Sequence, residues 1–242
     1  VDRYGEEMVE NGGLKVTTTL DLDLQQETEK IVAEEIEKVV DLNITNGAVI
    51  VLEPESGEIL AMVGSRDYNE PNFGKVNVVT QGLRQPGSAI KPVTYVTALK
   101  KGYTAAHLLL DTRTEFPGAS KEKPYIPVNY DGKYHGPVLM RYALGNSLNV
   151  TAVKMLAQVG LENMLETAYQ MGFTTLKPTA ENLSKFGLAV TLGGGEVRLI
   201  EMAGAYAAFA NGGLKVEPTA ILKVENQEGK VLEEAKPTKG KQ

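Results

Sequence analysis

A serine and a lysine three residues apart are the first candidates for chemistry in this chain. Ser88 and Lys91 lie within Gln85–Pro92, where a Pro-Gly turn signal precedes an apolar, helix-periodic stretch. Residues three apart on a helix project from the same face. A lysine amine can activate a serine hydroxyl when burial lowers the pKa of the amine. The pair therefore predicts a lysine-activated nucleophile, and the alternative interpretation is an ordinary helix start with Ser88 as its N-cap.

The same spacing occurs a second time, at Ser120 and Lys123. That copy lies in a polar run without a helical pattern, and we interpret it as a chance match. A Ser-x-Asn sequence occurs once, at Ser147 and Asn149, between the helical patterns 138–144 and 150–159. Taken alone, it predicts an inter-helix cap or turn.

Together the two motifs resemble the active-site boxes of the penicillin-binding proteins, which begin with Ser-x-x-Lys. Further stretches, residues 13–25, 57–64 and 201–213, are similar to the transpeptidase domain of the class A (bifunctional) members. The resemblance implies an α/β fold of the α+β type, shared with serine β-lactamases. In that fold a mainly antiparallel sheet is flanked by helical clusters, and we expect it to be incomplete in this chain.

The resemblance also implies a function, that of a peptidoglycan D,D-transpeptidase acting on stem peptides that end in D-Ala-D-Ala. Ser88 would attack the penultimate D-Ala carbonyl, with Lys91 as its base. Ser147 would relay a proton to the leaving amine, and Asn149 would orient Lys91 and bind the substrate amide. β-Lactam antibiotics would acylate Ser88. No cofactor and no metal is expected.

One departure from the family pattern is the third box, Lys-Thr-Gly, which does not occur in the sequence. Thr238–Gly240 has similar residues in another order, in a tail without a strand pattern. We therefore expect residues 1–234 to form the N-terminal and central part of a transpeptidase domain, and 235–242 to be a disordered tail. A second chain or segment would carry the Lys-Thr-Gly strand.

Three alternative functions use the same fold. A D,D-carboxypeptidase would pass the acyl group to water and release D-Ala without cross-linking. A serine β-lactamase needs a water-activating group, and we find no convincing Glu-x-x-Leu-Asn-like element between Met171 and Gly187. A catalytically silent penicillin-binding or sensor module would not turn over a thioester substrate analogue.

Composition narrows the other possibilities. The 242 residues carry a net charge of −6, which argues against a nucleic-acid partner. The absence of cysteine excludes disulfides, thiolate metal sites and cysteine nucleophiles. The two histidines, His107 and His135, form no recognisable metal motif.

No apolar run reaches the length of a membrane span, about 18 residues. Because the chain begins at Val1, we expect an excised piece of a longer protein. The resemblance places that protein at the extracytoplasmic face of the bacterial membrane.

Hydrophobic periodicity predicts the elements that must position these residues. A strand is expected over 14–20, and a helix over 21–41 with an Asp21 or Asp23 cap and an apolar stripe. A hairpin is expected over 47–63, and the helix after Ser88 should end near Lys101. The apolar stripe of the 21–41 helix comprises Leu24, Ile31, Ile36, Val39 and Val40. His107 should lie on a helix face or in the core, 112–136 should be irregular, and Gly193–Gly195 should be a flexible turn. Further helices are expected over 161–171 and 197–210, followed by a hairpin over 219–233.

Overall fold

Two stretches of the chain form separate units in the computed structural model, which describes residues 1–120 and 123–235. One unit combines residues 1–83 with those from 198 onward, and the other is residues 84–197. Most of the predicted tail, 236–242, lies outside the described residues. The single-domain assignment of residues 1–234 stays a prediction.

The α-helices are α1 (Glu6–Asn11), α2 (Leu22–Lys38), α3 (Val78–Gln81), α4 (Lys91–Lys100), α5 (Met140–Gly145), α6 (Asn149–Val159), α7 (Leu161–Gln170), α8 (Ala180–Lys185) and α9 (Leu199–Ala210). The strands are β1 (Lys15–Thr18), β2 (Val49–Leu52), β3 (Ile59–Val63), β4 (Leu108–Asp111), β5 (Phe116–Ser120), β6 (Lys123–Tyr125), β7 (Gly136–Leu139), β8 (Ile221–Glu225) and β9 (Val231–Glu234). None of the helices within the described ranges has the length and hydropathy needed to cross a bilayer.

The unit containing both ends of the chain is built on antiparallel strands. The predicted hairpin is confirmed, since β2 pairs with β3 in the register Val49 to Val63. The strands β1, β8 and β9 form a three-stranded sheet in that order. Helix α2 packs on β3, and α9 packs on β2.

Helix α2 begins as predicted, because the Asp21 side chain accepts a hydrogen bond from Leu24 N at 3.0 Å. The predicted stripe is wrong at Ile31 and Val40, which are both 48% exposed. The buried positions are instead Thr28, Val32 and Ile36, which follow one another at intervals of four residues. A buried threonine therefore stands in the stripe, where a pattern of apolar residues could not detect it.

In the unit of residues 84–197, α4 packs against α6 and α7. The contact is apolar, with Val93, Ala98, Val153, Leu156 and Leu165 each at most 1% exposed. Helix α4 is followed by Gly102, whose φ of 89° ends the helix as predicted. The unit begins and ends at one place, because Arg84 and Val197 exchange backbone hydrogen bonds of 3.0 and 2.9 Å.

One helix prediction in this unit is wrong and another begins two residues too early, both because of one strand pairing. His107 is not on a helix but immediately precedes β4, and residues 138 and 139 of the predicted 138–144 helix belong to β7, whereas 140–144 lie in α5 as predicted. Strands β4 and β7 pair from Leu108 to Leu139, across some 30 residues of chain. Local periodicity does not report such a distant partner.

The stretch expected to be irregular, 112–136, contains the hairpin of β5 and β6. In that hairpin Ser120 and Lys123 are register partners on adjacent strands. The second Ser-x-x-Lys match therefore does not lie on a helix.

Candidate active site

Ser88 lies in a 3-10 turn, Gly87–Ile90, that leads directly into α4. Lys91 is the first residue of α4, and its backbone N–H donates to the carbonyl oxygen of Ser88. The cap position of α4 is Ile90, without a side-chain cap. Ser88 is therefore not the N-cap of this helix. Ser88 is exposed, whereas Lys91 is completely buried.

The buried ammonium group of Lys91 has three oxygen acceptors around it. Nζ donates to the backbone oxygen of Ser147 at 2.5 Å and to Ser147 Oγ at 3.1 Å. It also donates to Asn149 Oδ1 at 2.7 Å. The fold therefore brings together three of the four residues predicted from the motifs. The fourth, Ser88, precedes Lys91 by one turn.

Burial lowers the pKa of Lys91 from 10.5 to about 8. A lysine with such a pKa is neutral in part of the molecules near neutral pH. Only the neutral amine can accept a proton from a serine hydroxyl. The site thus contains a buried amine suited to that task, one turn after the exposed Ser88.

Ser147 reaches Lys91 through an unusual backbone conformation. Its φ is 52°, in the left-handed region that non-glycine residues rarely adopt. It lies between α5, which ends at Gly145, and α6, which begins at Asn149. A short link between two helices therefore carries both Ser147 and Asn149 to the same lysine.

Asn149 is held from the loop that precedes β7. Its side-chain Nδ2 donates to the Val128 carbonyl oxygen at 2.8 Å, while its Oδ1 faces Lys91. The start of α6 is capped from the same loop, since Asn129 Oδ1 accepts from Asn149 N at 2.8 Å and from Val150 N at 3.2 Å. Neither motif includes Asn129, which lies 20 residues before the start of the helix that it caps.

Behind Asn129 lies a buried carboxylate that is also outside both motifs. Asp111 is 0% exposed and accepts from Asn129 Nδ2 at 2.8 and 3.1 Å. It also accepts from the backbone N–H of His135 at 2.9 Å, and its Oδ2 lies 2.6 Å from His135 Nδ1. Asp111 is the last residue of β4, and a single acidic residue at the end of a strand gives no sequence signal of its own. Within the described ranges, no group of three acidic or histidine side chains is arranged to hold a metal ion.

The predicted flexible turn at Gly193–Gly195 has a packing role instead. A Cβ at Gly193 would lie 2.3 Å from Gly87 N, and the φ of Gly193 is 95°. Both the contact and the conformation require glycine. The segment after Val190 therefore lies against the backbone next to Ser88. A buried hydrogen bond of 2.7 Å between the hydroxyls of Thr94 and Thr191 joins the same segment to α4.

The family assignment follows from comparison with known sequences. A sequence model described as penicillin binding protein transpeptidase domain matches residues 47–242. The chain belongs to the penicillin-binding protein transpeptidase family. The match includes both motifs, and the predicted fold class is confirmed with it.

Penicillin-binding proteins from distant bacteria are similar to this transpeptidase domain. Penicillin-binding protein 2D of Bacillus subtilis is 37% identical over 94% of the chain and 31% of its own length. Penicillin-binding protein 1A of Aquifex aeolicus is 39% identical over 79% of the chain and 25% of its own length. The chain thus spans less than a third of these relatives.

A solved structure shares the fold. The PonA1 protein of Mycobacterium tuberculosis in complex with penicillin V is 25% identical, with a TM-score of 0.78. The alignment covers 95% of this chain and 60% of that one. The topology built here around Ser88 and Lys91 is therefore that of a known penicillin-binding protein.

Proposed function

We propose that this transpeptidase domain forms an acyl-enzyme on Ser88 and transfers the acyl group in peptidoglycan cross-linking. The observation that supports the proposal is the contact of the buried Lys91 with Ser147 and Asn149. A lysine held in this way, one turn after an exposed serine, suits a base that activates the serine.

In the proposed reaction Ser88 Oγ attacks the penultimate D-Ala carbonyl of a stem peptide ending in D-Ala-D-Ala. The neutral amine of Lys91 accepts the hydroxyl proton as the C–O bond forms. Ser147 Oγ, 3.1 Å from Lys91 Nζ, passes its proton to the departing amine and receives the one held by Lys91, and the terminal D-Ala leaves as the C–N bond breaks. The amine of a neighbouring stem then attacks the ester carbonyl. The attacking amine gives up a proton, which reaches Ser88 Oγ through Lys91 as the ester C–O bond breaks, and the cross-link is complete.

Two further groups assist this reaction. The backbone N–H of Ser88 provides half of the oxyanion hole, which stabilises charge that develops only in the transition state. Asn149 keeps Oδ1 on Lys91 and can present its amide group to the substrate. A second chain or segment with a Lys-Thr-Gly strand supplies the other half of the oxyanion hole. It also supplies the cation that binds the substrate carboxylate. Loss of one oxyanion donor typically costs about 10²–10³ in rate, so this partner raises activity strongly.

The proposed setting is the extracytoplasmic face of the bacterial membrane, where peptidoglycan stem peptides are the substrate. β-Lactams use the same attack by Ser88 and leave a slowly hydrolysed acyl adduct. The complex of PonA1 with penicillin V, a protein of similar fold, supports this part of the proposal.

The test is intact-mass spectrometry after incubation with benzylpenicillin. We expect one adduct per chain, which is lost in Ser88→Ala and retained in Ser120→Ala. Ser120 is the matched control, since it belongs to the other Ser-x-x-Lys sequence. A folded wild-type domain that gains no adduct, even with a peptide carrying the Lys-Thr-Gly strand, would contradict the proposal.

A further inference from the structure

The Ser-x-Asn motif is anchored by a loop residue that the family motifs do not include. Asn129 is 4% exposed, and both ends of its amide group are engaged. Oδ1 accepts from Asn149 N and Val150 N, and Nδ2 donates to Asp111 and to the Lys133 carbonyl oxygen at 2.8 Å. Such a side chain has a single orientation available, because a flipped amide would place donors against donors.

Asp111 gives Asn129 that orientation. A buried carboxylate is expensive unless hydrogen bonds and charges compensate it. Here the compensation comes from Asn129, from the backbone and ring of His135, and from the charge of Lys154 on α6. Asp131 faces the outer side of the His135 ring at 3.1 Å. The carboxylate of Asp111 therefore holds the donor end of Asn129, and only the acceptor end can face α6.

Asn129 thereby controls the position of Asn149 from two directions. It fixes the backbone N–H of Asn149, and the neighbouring Val128 carbonyl oxygen fixes the Asn149 amide nitrogen. With its nitrogen fixed in this way, Asn149 must direct Oδ1 at Lys91 Nζ. The contacts run without a gap from Asp111 through Asn129 and Asn149 to Lys91.

We propose that Asn129, held by Asp111, is a positioning residue for Lys91 and that it acts through Asn149. The inference rests on the proposed function of Ser88 and Lys91. It predicts that loss of the Asn129 side chain withdraws one acceptor from the Lys91 ammonium group without touching either residue of the Ser-x-x-Lys motif.

The experiment uses Asn129→Ala, which changes no charge, and follows the Lys91 ε-carbon by NMR during a pH titration. We expect the pKa of Lys91 to fall below its wild-type value of about 8, because an ammonium group that loses an acceptor is less stable. Asp131→Asn is the matched control, since Asp131 contacts His135 in the same loop but the inferred route does not pass through it. We expect this control to titrate like the wild type.

Benzylpenicillin acylation is the second readout, measured above pH 9 where Lys91 is neutral in both proteins. We expect Asn129→Ala to acylate about 10- to 100-fold more slowly, the scale of a misplaced catalytic group. If Asn129→Ala does not fold, Asn129→Ser takes its place in both measurements.

The outcomes separate the two hypotheses. A folded variant with reduced thermal stability but an unchanged Lys91 titration would show a purely structural role and overturn the inference. A wild-type domain that resists acylation would count against the proposed function alone. In that case the Lys91 titration still decides whether Asn129 positions the lysine.

Discussion

Ser147 presents two oxygen atoms to the ammonium group of Lys91, its carbonyl oxygen at 2.5 Å and its hydroxyl oxygen at 3.1 Å. Backbone and side chain of one residue can reach the same atom because Ser147 adopts a φ of 52°. Removal of the hydroxyl therefore leaves the shorter contact in place. This geometry separates the part of Ser147 that can relay a proton from the part that holds the lysine.

The left-handed conformation of Ser147 predicts an unusual order of stability. Both Ser147→Ala and Ser147→Gly lose the hydroxyl, but only glycine adopts this φ without strain. We expect Ser147→Gly to exceed Ser147→Ala by about 0.5–1 kcal/mol in the free energy of unfolding, measured with urea. At Ser184, inside α8, the same two substitutions should show the opposite order. Equal stabilities of the two Ser147 variants would contradict this explanation.

The lowered pKa of Lys91 predicts the pH dependence of acylation. Because the neutral amine is the proposed base, the acylation rate should rise with pH through about 8 and then level off. Lys91→Arg stays protonated and should lose about 10²–10⁴ of the rate. Lys100→Arg, at the other end of α4, is the control and should keep the wild-type profile. A rate that is flat between pH 6 and 10 would argue for a different base.

The close approach of Gly193 to Gly87 predicts that a single methyl group will disturb Ser88. Gly193→Ala introduces a contact of 2.3 Å with backbone and an unfavourable φ, so we expect a loss of at least about 1–3 kcal/mol in stability. Acylation by benzylpenicillin should slow as the backbone next to Ser88 moves.

Gly187→Ala is the matched control for that variant. Gly187 has an ordinary φ of −112°, and its Cβ would have no neighbour within 4 Å. The thermal unfolding midpoint and the acylation rate should both stay near wild type. Similar losses of stability and of acylation rate in both variants would show that the effect of Gly193→Ala does not come from its contact with Gly87.

The contact of His135 with Asp111 predicts a contribution to the free energy of unfolding that depends on pH. The hydrogen bond to Asp111 is the main cause that raises its pKa above 6.5, and Asp131 adds to it. A histidine whose pKa is raised by folding stabilises the fold. This stabilisation is fully present below pH 6.5, the pKa of the unfolded state, and disappears as the pH rises through the pKa of the folded state. The stability difference between wild type and His135→Gln should therefore shrink from pH 6 towards pH 9 in urea titrations.

The other histidine, His107, serves as the control for this series. Its ring packs edge-to-face on Tyr103 at 4.7 Å. His107→Gln therefore tests the loss of an imidazole without the loss of the Asp111 contact. If the difference at His135 stays constant with pH, the ring does not carry charge in the folded state.

The sequence was sufficient to predict those elements whose signals are local. Asp21 capping α2, the turn between β2 and β3, and the start of α4 after Gly87 all depend on neighbouring residues. The contact of Lys91 with Ser147 and Asn149 was anticipated only through family resemblance, since the residues are 56 and 58 positions apart.

What the sequence could not predict depends on contacts between distant segments. The helical pattern at 138–144 extends two residues into strand β7, because the partner strand β4 lies far away in the chain. Asn129 was missed as a cap because it reaches α6 from a loop, whereas capping motifs are recognised next to the helix. Gly193 was assigned to a flexible turn because its tight neighbour, Gly87, is more than 100 residues earlier.

The backbones of Arg84 and Val197 are hydrogen-bonded to each other, so the two ends of the unit 84–197 lie side by side. The polypeptide enters and leaves this unit at one point. The proposed nucleophile, base and relay lie between those ends, together with Asn149, Asn129 and Asp111. Since the ends already meet, a short linker can join them, and new termini can be opened in a surface loop. We therefore expect residues 84–197 to tolerate circular permutation when a short linker joins their ends.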